Sequence, residues 1–254
     1  MMDIPALLPT VRGIALEAGT AILRVYATEF DAARKADGSP VTAADNAAEA
    51  VILPALRALT PHIPIVSEEA FERGEIPEVT GTPFWLVDPL DGTKEFLKRN
   101  GEFTVNIALV RDGVPVLGVV LAPATGELFA AAGPGTAISV RDGAERSIAV
   151  RAAPADGLTV LSSRSHADNA ELDAHLAALP VRERLVCGSS VKFCRIAEGR
   201  GDLYPRFGPT MEWDTAAGQA VLLAAGGAVL NHDGSPFRYG KPGFRNPGFI
   251  AKGL

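Results

Sequence analysis

Cysteine and histidine are scarce in this chain, and clustered positive charge is absent. Cys187 and Cys194 are the only cysteines among 254 residues, and their spacing matches neither a Cys-x-x-Cys redox pair nor a zinc knuckle, so a reducing cytoplasm is the simple setting. The four histidines, His62, His166, His175 and His232, are scattered without ligand spacing, and all but His166 read as polar surface residues. Lys and Arg total 24 against 30 Asp and Glu, a formal charge of −6, and nowhere do they cluster. This excludes a general polyanion binder, whose affinity rests on grouped basic residues; no nucleic-acid polymer is expected as a partner. Met1 to Ala6 lacks the basic start and apolar core of a signal peptide, and Gly or Pro interrupts the longest apolar runs well short of a membrane span. The expectation is a soluble cytosolic protein, with peripheral membrane attachment left open.

What is present is ordinary globular material. Hydrophobic residues make up 47% and charged residues 21%, far from the signature of disorder. The length suits one large domain or two small ones. Apolar residues at helical spacing (Leu7, Val11, Ile14, Ala18, Ile22, Val25) predict a helix over Ala6 to Tyr26. Thr42 can cap a second helix running to about Leu59, with Asp45 placed for a capping box. Strand-like runs follow at Ile65 to Ser67, Phe84 to Val87, Phe103 to Arg111, Val114 to Ala122 and Glu127 to Ala132. The first part thus reads as two helices on a largely antiparallel sheet. A polar stretch around Arg151 to Gly157 marks a soft boundary, dividing the chain into 1–152 and 153–254. Beyond it, strands (Leu158 to Leu161, Arg182 to Val186, Leu203 to Arg206) alternate with helices (His166 to Ala178, Ser190 to Glu198, Trp213 to Ala225), and Ala228 to Leu230 and Phe249 to Ala251 can add late strands. Such alternation predicts an α/β second half.

Three acidic segments carry the chemistry. In Trp85-Leu86-Val87-Asp88-Pro89-Leu90-Asp91-Gly92-Thr93 an apolar strand runs into two carboxylates at its carboxyl end, the usual place for ligands in sheet proteins. Magnesium takes hard oxygen ligands of this kind. Pro89 stiffens the segment so that the Leu90 carbonyl could turn inward as a further ligand, and Gly92 permits close backbone approach. Thr93 could open a short helix with free amides beside the metals. Taken alone, the same residues also suit an acidic surface turn. Ile65-Val66-Ser67-Glu68-Glu69 ends another strand on paired carboxylates, and Glu212-Trp213-Asp214-Thr215-Ala216-Ala217-Gly218 puts Asp214 in the first turn of an apolar helix, where it could equally answer the helix dipole.

In order, spacing and flanking sequence, these three segments together resemble the inositol monophosphatase superfamily over nearly the whole chain. The resemblance implies a layered αβαβα sandwich, magnesium dependence with two or more ions per site, and hydrolysis of a phosphate monoester. It implies that Glu68, Asp88 and the Leu90 carbonyl hold one magnesium and that Asp88, Asp91 and Asp214 hold a second. Two metals can activate water and offset the charge of the phosphoryl group, so no protein nucleophile is required. The family pattern makes Asp45 accept the Thr93 hydroxyl proton while that hydroxyl and Glu68 orient the water; helix capping is the plain alternative for Asp45, and the two roles are compatible. Glu69 stands behind the ligands or in solvent. Lithium inhibition is a further family expectation.

Within the superfamily, Gly188-Ser189-Ser190-Val191-Lys192-Phe193-Cys194 and Leu203-Tyr204-Pro205-Arg206 resemble the CysQ-type 3′(2′),5′-bisphosphate nucleotidases. Pro205-Arg206 stands where inositol monophosphatases commonly carry an acid, and a cation there fits a second phosphate better than a bare polyol. The expected substrate is 3′-phosphoadenosine 5′-phosphate. The expected contacts are Leu90, Asp91, Gly92, Thr93, Ser165, His166, Gly188, Ser189, Ser190, Lys192, Arg206 and Asp214. The alternatives are an inositol or other sugar phosphatase, and a catalytically silent metal- or phosphate-binding regulator. Monomer and homodimer both remain open.

Overall fold

The computed structural model describes residues 2–29, 32–34, 40–163 and 170–254. Helix α1 (Ile4–Tyr26) is followed by a small antiparallel pair, β1 (Ala32–Arg34) with β2 (Pro40–Thr42), and by α2 (Ala43–Leu59). Thr42 caps α2: its hydroxyl accepts Ala44 N–H at 3.1 Å while Asp45 Oδ2 accepts Thr42 N–H at 2.7 Å, the reciprocal pattern of a capping box. Next come β3 (Ile65–Ser67), α3 (Glu68–Glu72), β4 (Phe84–Asp91), α4 (Thr93–Leu97), β5 (Thr104–Arg111), β6 (Val114–Ala122), β7 (Glu127–Ala131) and the hairpin β8 (Ile138–Arg141) and β9 (Ala144–Ser147). Strands β3 to β9 form one sheet in sequence order, antiparallel except for the parallel pair β3 and β4.

The second half contributes β10 (Leu158–Ser163), α5 (Ala170–Leu176), β11 (Val181–Cys187), α6 (Val191–Ala197), β12 (Leu203–Arg206), β13 (Thr210–Met211), α7 (Ala216–Ala224), β14 (Ala228–Asn231), β15 (Arg245–Asn246) and β16 (Phe249–Lys252). Five of these strands make a mixed sheet in the order β11-β10-β12-β16-β14, while β13 pairs with β15.

Strand alternation sorts the core into layers. Trp85, Val87, Val105, Ile107 and Leu109 face α1 and α2, whereas Phe84, Leu86, Ala108 and Val110 share a second core with α6, α7 and the second sheet's Tyr204, Phe249 and Ala251. Val160 and Leu203 on the far face of that sheet pack on Leu172 and Leu176 of α5. The result is the expected helix-sheet-helix-sheet-helix sandwich. Helix α7 lies hard on β6: a Cβ at Gly118 would come within 2.5 Å of the Ala217 carbonyl oxygen and 2.7 Å of Ala220 Cβ.

Three sequence expectations need correction. The Trp213 to Ala225 helix is broken: Glu212–Asp214 forms a 3₁₀ turn and α7 starts at Ala216. The fully buried Glu212 carboxylate accepts the N–H groups of Gly240 (2.8 Å) and Lys241 (3.0 Å) and pairs with Lys241 Nζ (2.6 Å), which holds this turn apart from the helix axis. The apolar run in α1 is not stopped by its Pro9 and two glycines; the helix spans 23 residues and is long and apolar enough to cross a membrane. In the fold its Val11, Ile14, Ala15, Ala18 and Ile22 face is packed in the first core. Finally, β8 and β9 lie beyond the strands read from sequence, and β4 continues past Val87 to Asp91.

Candidate active site

The extension of β4 decides how its two acids stand. Asp88 pairs with Asn106 and Asp91 with Thr104, so three steps on β4 match two on β5. In a regular strand residues three apart point to opposite faces; the one extra residue of this bulge, at Pro89-Leu90, returns Asp91 to the face of Asp88. Parallel pairing of Ser67 with Val87 brings the residues that follow them, Glu68 and Asp88, to the same sheet end. The 3₁₀ turn carrying Asp214 packs on β4 and β5 from the α7 side.

Four carboxylates are therefore gathered in one corner, and their electrostatics report it. Burial, followed by repulsion from Glu68, Asp91 and Asp214 and a hydrogen bond to Glu68, pushes the Asp88 carboxyl well above its usual range. Burial and then repulsion from Asp91 and Glu68 do the same to Asp214. Asp91 is pushed up to about 6 by burial, against the pull of Lys192 and the Ser190 N–H. The three aspartates also have backbone or hydroxyl partners: Asp88 Oδ1 accepts Leu90 N–H (3.0 Å), Asp91 Oδ2 accepts Ser190 N–H (2.6 Å) and the Thr104 hydroxyl (3.4 Å), and Asp214 Oδ2 accepts Met211 N–H (2.8 Å). Among the described residues no group of three or more Asp, Glu, His or Cys side chains is arranged to hold a metal ion, although the acids stand close enough to repel one another. An oxygen-only donor set with excess negative charge fits a hard divalent cation, which would relieve that repulsion.

Asp45 and Thr93, which the family resemblance pairs, lie side by side. Asp45 is buried, and its two oxygens divide the work: Oδ2 takes the Thr42 N–H and hydroxyl, while Oδ1 lies 3.4 Å from Thr93 Oγ1. Thr93 Oγ1 is also 3.4 Å from the Leu90 carbonyl oxygen and opens α4. Gly92 before it has φ +97°, and a Cβ there would press on Glu102 O at 3.0 Å, so the turn between Asp91 and Thr93 requires glycine.

A cleft of about 210 Å³ opens beside these acids. Asp91, Gly92 and Asp214 line it together with Gly188, Ser189, Ser190, Lys192 and Arg206. Lys192 is buried in the wall, with Nζ donating to the Cys187 carbonyl (3.2 Å) and the Ser189 carbonyl and lying 5.1 Å from the Tyr204 ring centre. Burial lowers its pKa, with Asp91 opposing. Arg206 donates to Ser163 Oγ (3.1 Å), the Gly208 carbonyl (3.2 Å) and the Pro209 carbonyl (3.4 Å). Ser165 and His166 lie outside the described residues. Glu69 is buried beside Glu68 on α3.

Several contributors escaped the sequence reading. Glu95 and Tyr204 line the cleft, Glu102 Oε2 accepts Gly188 N–H at 2.9 Å, and Asn106 Oδ1 accepts the Ser190 hydroxyl at 2.6 Å. Through Ser190 the loop of the second half is tied directly to Asp91 of the first. Only the alternation of β5, which sets Asn106 and Thr104 opposite the two acids, hints at this in the sequence.

The model of the inositol monophosphatase family matches residues 6–250. The chain is 51% identical over 246 residues to the 3′(2′),5′-bisphosphate nucleotidase CysQ of Escherichia coli O157:H7, covering 96% of this chain and 98% of that protein. The CysQ of Buchnera aphidicola is 43% identical, with 95% and 91% covered. Among solved structures, CysQ from Bacteroides thetaiotaomicron superposes with a TM-score of 0.79 at 38% identity over 96% of both chains. An Anabaena inositol monophosphatase gives 0.77 at 29% identity, over 99% of this chain and 92% of that one. With its three acidic segments, its layered sandwich and these likenesses, the chain belongs to the inositol monophosphatase family.

Proposed function

We propose that this chain is a magnesium-dependent phosphomonoesterase that removes the 3′-phosphate of 3′-phosphoadenosine 5′-phosphate, giving AMP and inorganic phosphate. The observation that carries the reading is that acids, Asp91 and Asp214, and bases, Lys192 and Arg206, line one and the same cleft. The acids suit metal and scissile phosphate, the bases another phosphate of the same molecule. The likeness to proteins named as bisphosphate nucleotidases supports the substrate.

Glu68, Asp88, Asp91, Asp214 and the Leu90 carbonyl would hold magnesium, which when bound supplies positive charge against the phosphate dianion and makes water easier to deprotonate. The Thr93 hydroxyl, between Asp45 Oδ1 and the Leu90 carbonyl, orients the attacking water, and Asp45 takes the Thr93 proton as that hydroxyl accepts one from water. Glu68 accepts a hydrogen bond from the same water and helps to orient it, so that the one proton the water loses is the one passed through Thr93 to Asp45. One P–O bond forms from water and the ester P–O bond breaks, the proton ending on the departing 3′-oxygen. Lys192 contributes its charge from within the wall, because its ammonium is committed to two carbonyls. Arg206, braced at the cleft by Ser163 and two carbonyls, offers the more accessible donor.

A second reading, an inositol or other sugar phosphatase, is favoured by the Glu95 carboxylate in the same lining, an acceptor for ring hydroxyls. Steady-state kcat/KM on 3′-phosphoadenosine 5′-phosphate and on inositol 1-phosphate, with and without magnesium, decides between them. Far higher efficiency on the nucleotide is expected, and Arg206→Ala should cost it roughly a hundredfold while sparing a simple monoester, the usual loss when a charged partner is removed. Equal or higher efficiency on inositol 1-phosphate would favour the second reading. Absence of phosphate release from any of a panel of monoesters would leave a silent binding protein.

A further inference from the structure

Glu49 lies one helical turn beyond Asp45 on the same face of α2 and is 6% exposed. A buried carboxylate with no part in the chemistry above needs a reason to be there, since its desolvation is costly unless compensated. Its contacts supply one. Glu49 Oε1 accepts the Ser67 hydroxyl at 2.6 Å and the Ala70 N–H at 3.0 Å, and Glu49 Oε2 pairs with Arg73 Nη2 at 2.8 Å. Ser67 and Ala70 flank Glu68 and Glu69 on either side.

The pattern is an external helix cap. Ser67 occupies the N-cap position of α3, yet its side chain makes no capping bond there. A serine at this position ordinarily accepts an N–H from the second or third helical residue. Here Ser67 turns its hydroxyl to Glu49 as a donor, and Glu49 takes the Ala70 N–H in its place. A five-residue helix has little stability of its own, so the direction in which Glu68 leaves β3 is set by this carboxylate. Since Asp45 on the same helix meets Thr93, α2 holds both strand-end segments of the site to one rigid reference.

We propose that Glu49 is a positioning residue that sets the Glu68 carboxylate for magnesium; the proposal rests on the metal reading given above. Partners behind metal ligands typically change affinity or activity by about 10–100-fold when altered. Glu49→Gln keeps the acceptor oxygen and the shape but turns an amide toward the Arg73 guanidinium, so both the tilt of α3 and the aim of Glu68 should loosen.

The test measures magnesium binding to the substrate-free protein by calorimetry, together with the magnesium concentration for half-maximal turnover. For Glu49→Gln the magnesium Kd and the half-maximal concentration should both rise about tenfold or more, and Ser67→Ala should move them in the same direction by less. In a Glu68→Gln background, adding Glu49→Gln should have little further effect on magnesium affinity, because the route through Glu68 is already gone; a merely structural role would instead add its full penalty. Unchanged magnesium affinity in both Glu49→Gln and Ser67→Ala, or additive losses in the double variant, overturns the proposal. Ser67→Ala keeps the question decidable if Glu49→Gln does not fold. A wild-type protein that turns over without magnesium would overturn the metal reading itself and this proposal with it, whereas normal wild-type dependence with indifferent variants overturns this proposal alone.

Discussion

Asp91→Asn should abolish turnover and yet make the metal-free protein more stable at neutral pH. Asn retains the side-chain shape and an oxygen for the Ser190 N–H, which now lies 2.6 Å from Asp91 Oδ2, but it removes one of four mutually repelling carboxylates. Asp91 is raised from 3.8 to about 6 in the fold, first by burial and then by Glu68 and Glu95 against Lys192. The sign follows from linkage: below the unfolded value both states are protonated, between 3.8 and about 6 the folded state holds more protons, and stability falls as pH rises through that window. Above it the ionised group weighs against the fold by about 3 kcal/mol, at about 1.4 kcal/mol per unit, and mutual screening reduces this to roughly 1–3 kcal/mol. For a chain of this size the gain in Tm is about 2–10 °C. Thermal unfolding with EDTA should thus show Asp91→Asn above wild type at pH 8 and level with it near pH 4. Magnesium should raise the wild-type Tm and close the gap at pH 8. A variant less stable than wild type at pH 8 without metal would refute the picture of an electrostatically strained site, and wild-type turnover at saturating magnesium would refute Asp91 as a ligand.

Thr93→Ala removes the hydroxyl 3.4 Å from both Asp45 Oδ1 and the Leu90 carbonyl and should lower kcat by ~10²–10⁴-fold, the range of acid-base groups, with magnesium affinity little changed. Weakened magnesium binding with an intact kcat would assign it a different role. Gly118→Val forces a side chain into the Ala217 carbonyl and Ala220 and should cost about 1–3 kcal/mol by overpacking, read by denaturant unfolding; wild-type stability would mean that α7 can lift from β6 freely.

Much of this protein is legible in the chain. The apolar spacing of α1, the Thr42 and Asp45 capping box and the alternating strands β5 and β6 are local patterns, and local patterns survive in a sequence without knowledge of neighbours. The three acidic segments stood out only in combination, because each alone also suits an acidic turn or a helix dipole. The sequence did not reveal β9, whose four residues are all exposed and carry no apolar alternation, although Asp142-Gly143, with φ values of 50° and 74°, is a hairpin turn signal. Nor could it show that Asp88 and Asp91 share a face, since that depends on one residue of slippage against β5. The break between Asp214 and α7 depends on Lys241 and Gly240 meeting Glu212, and the placement of Glu68 on a carboxylate 19 positions earlier in the chain. Such facts belong to tertiary structure for one physical reason: the direction of a side chain at an element's end is set by whichever distant group satisfies its backbone, and sequence spacing does not identify that group.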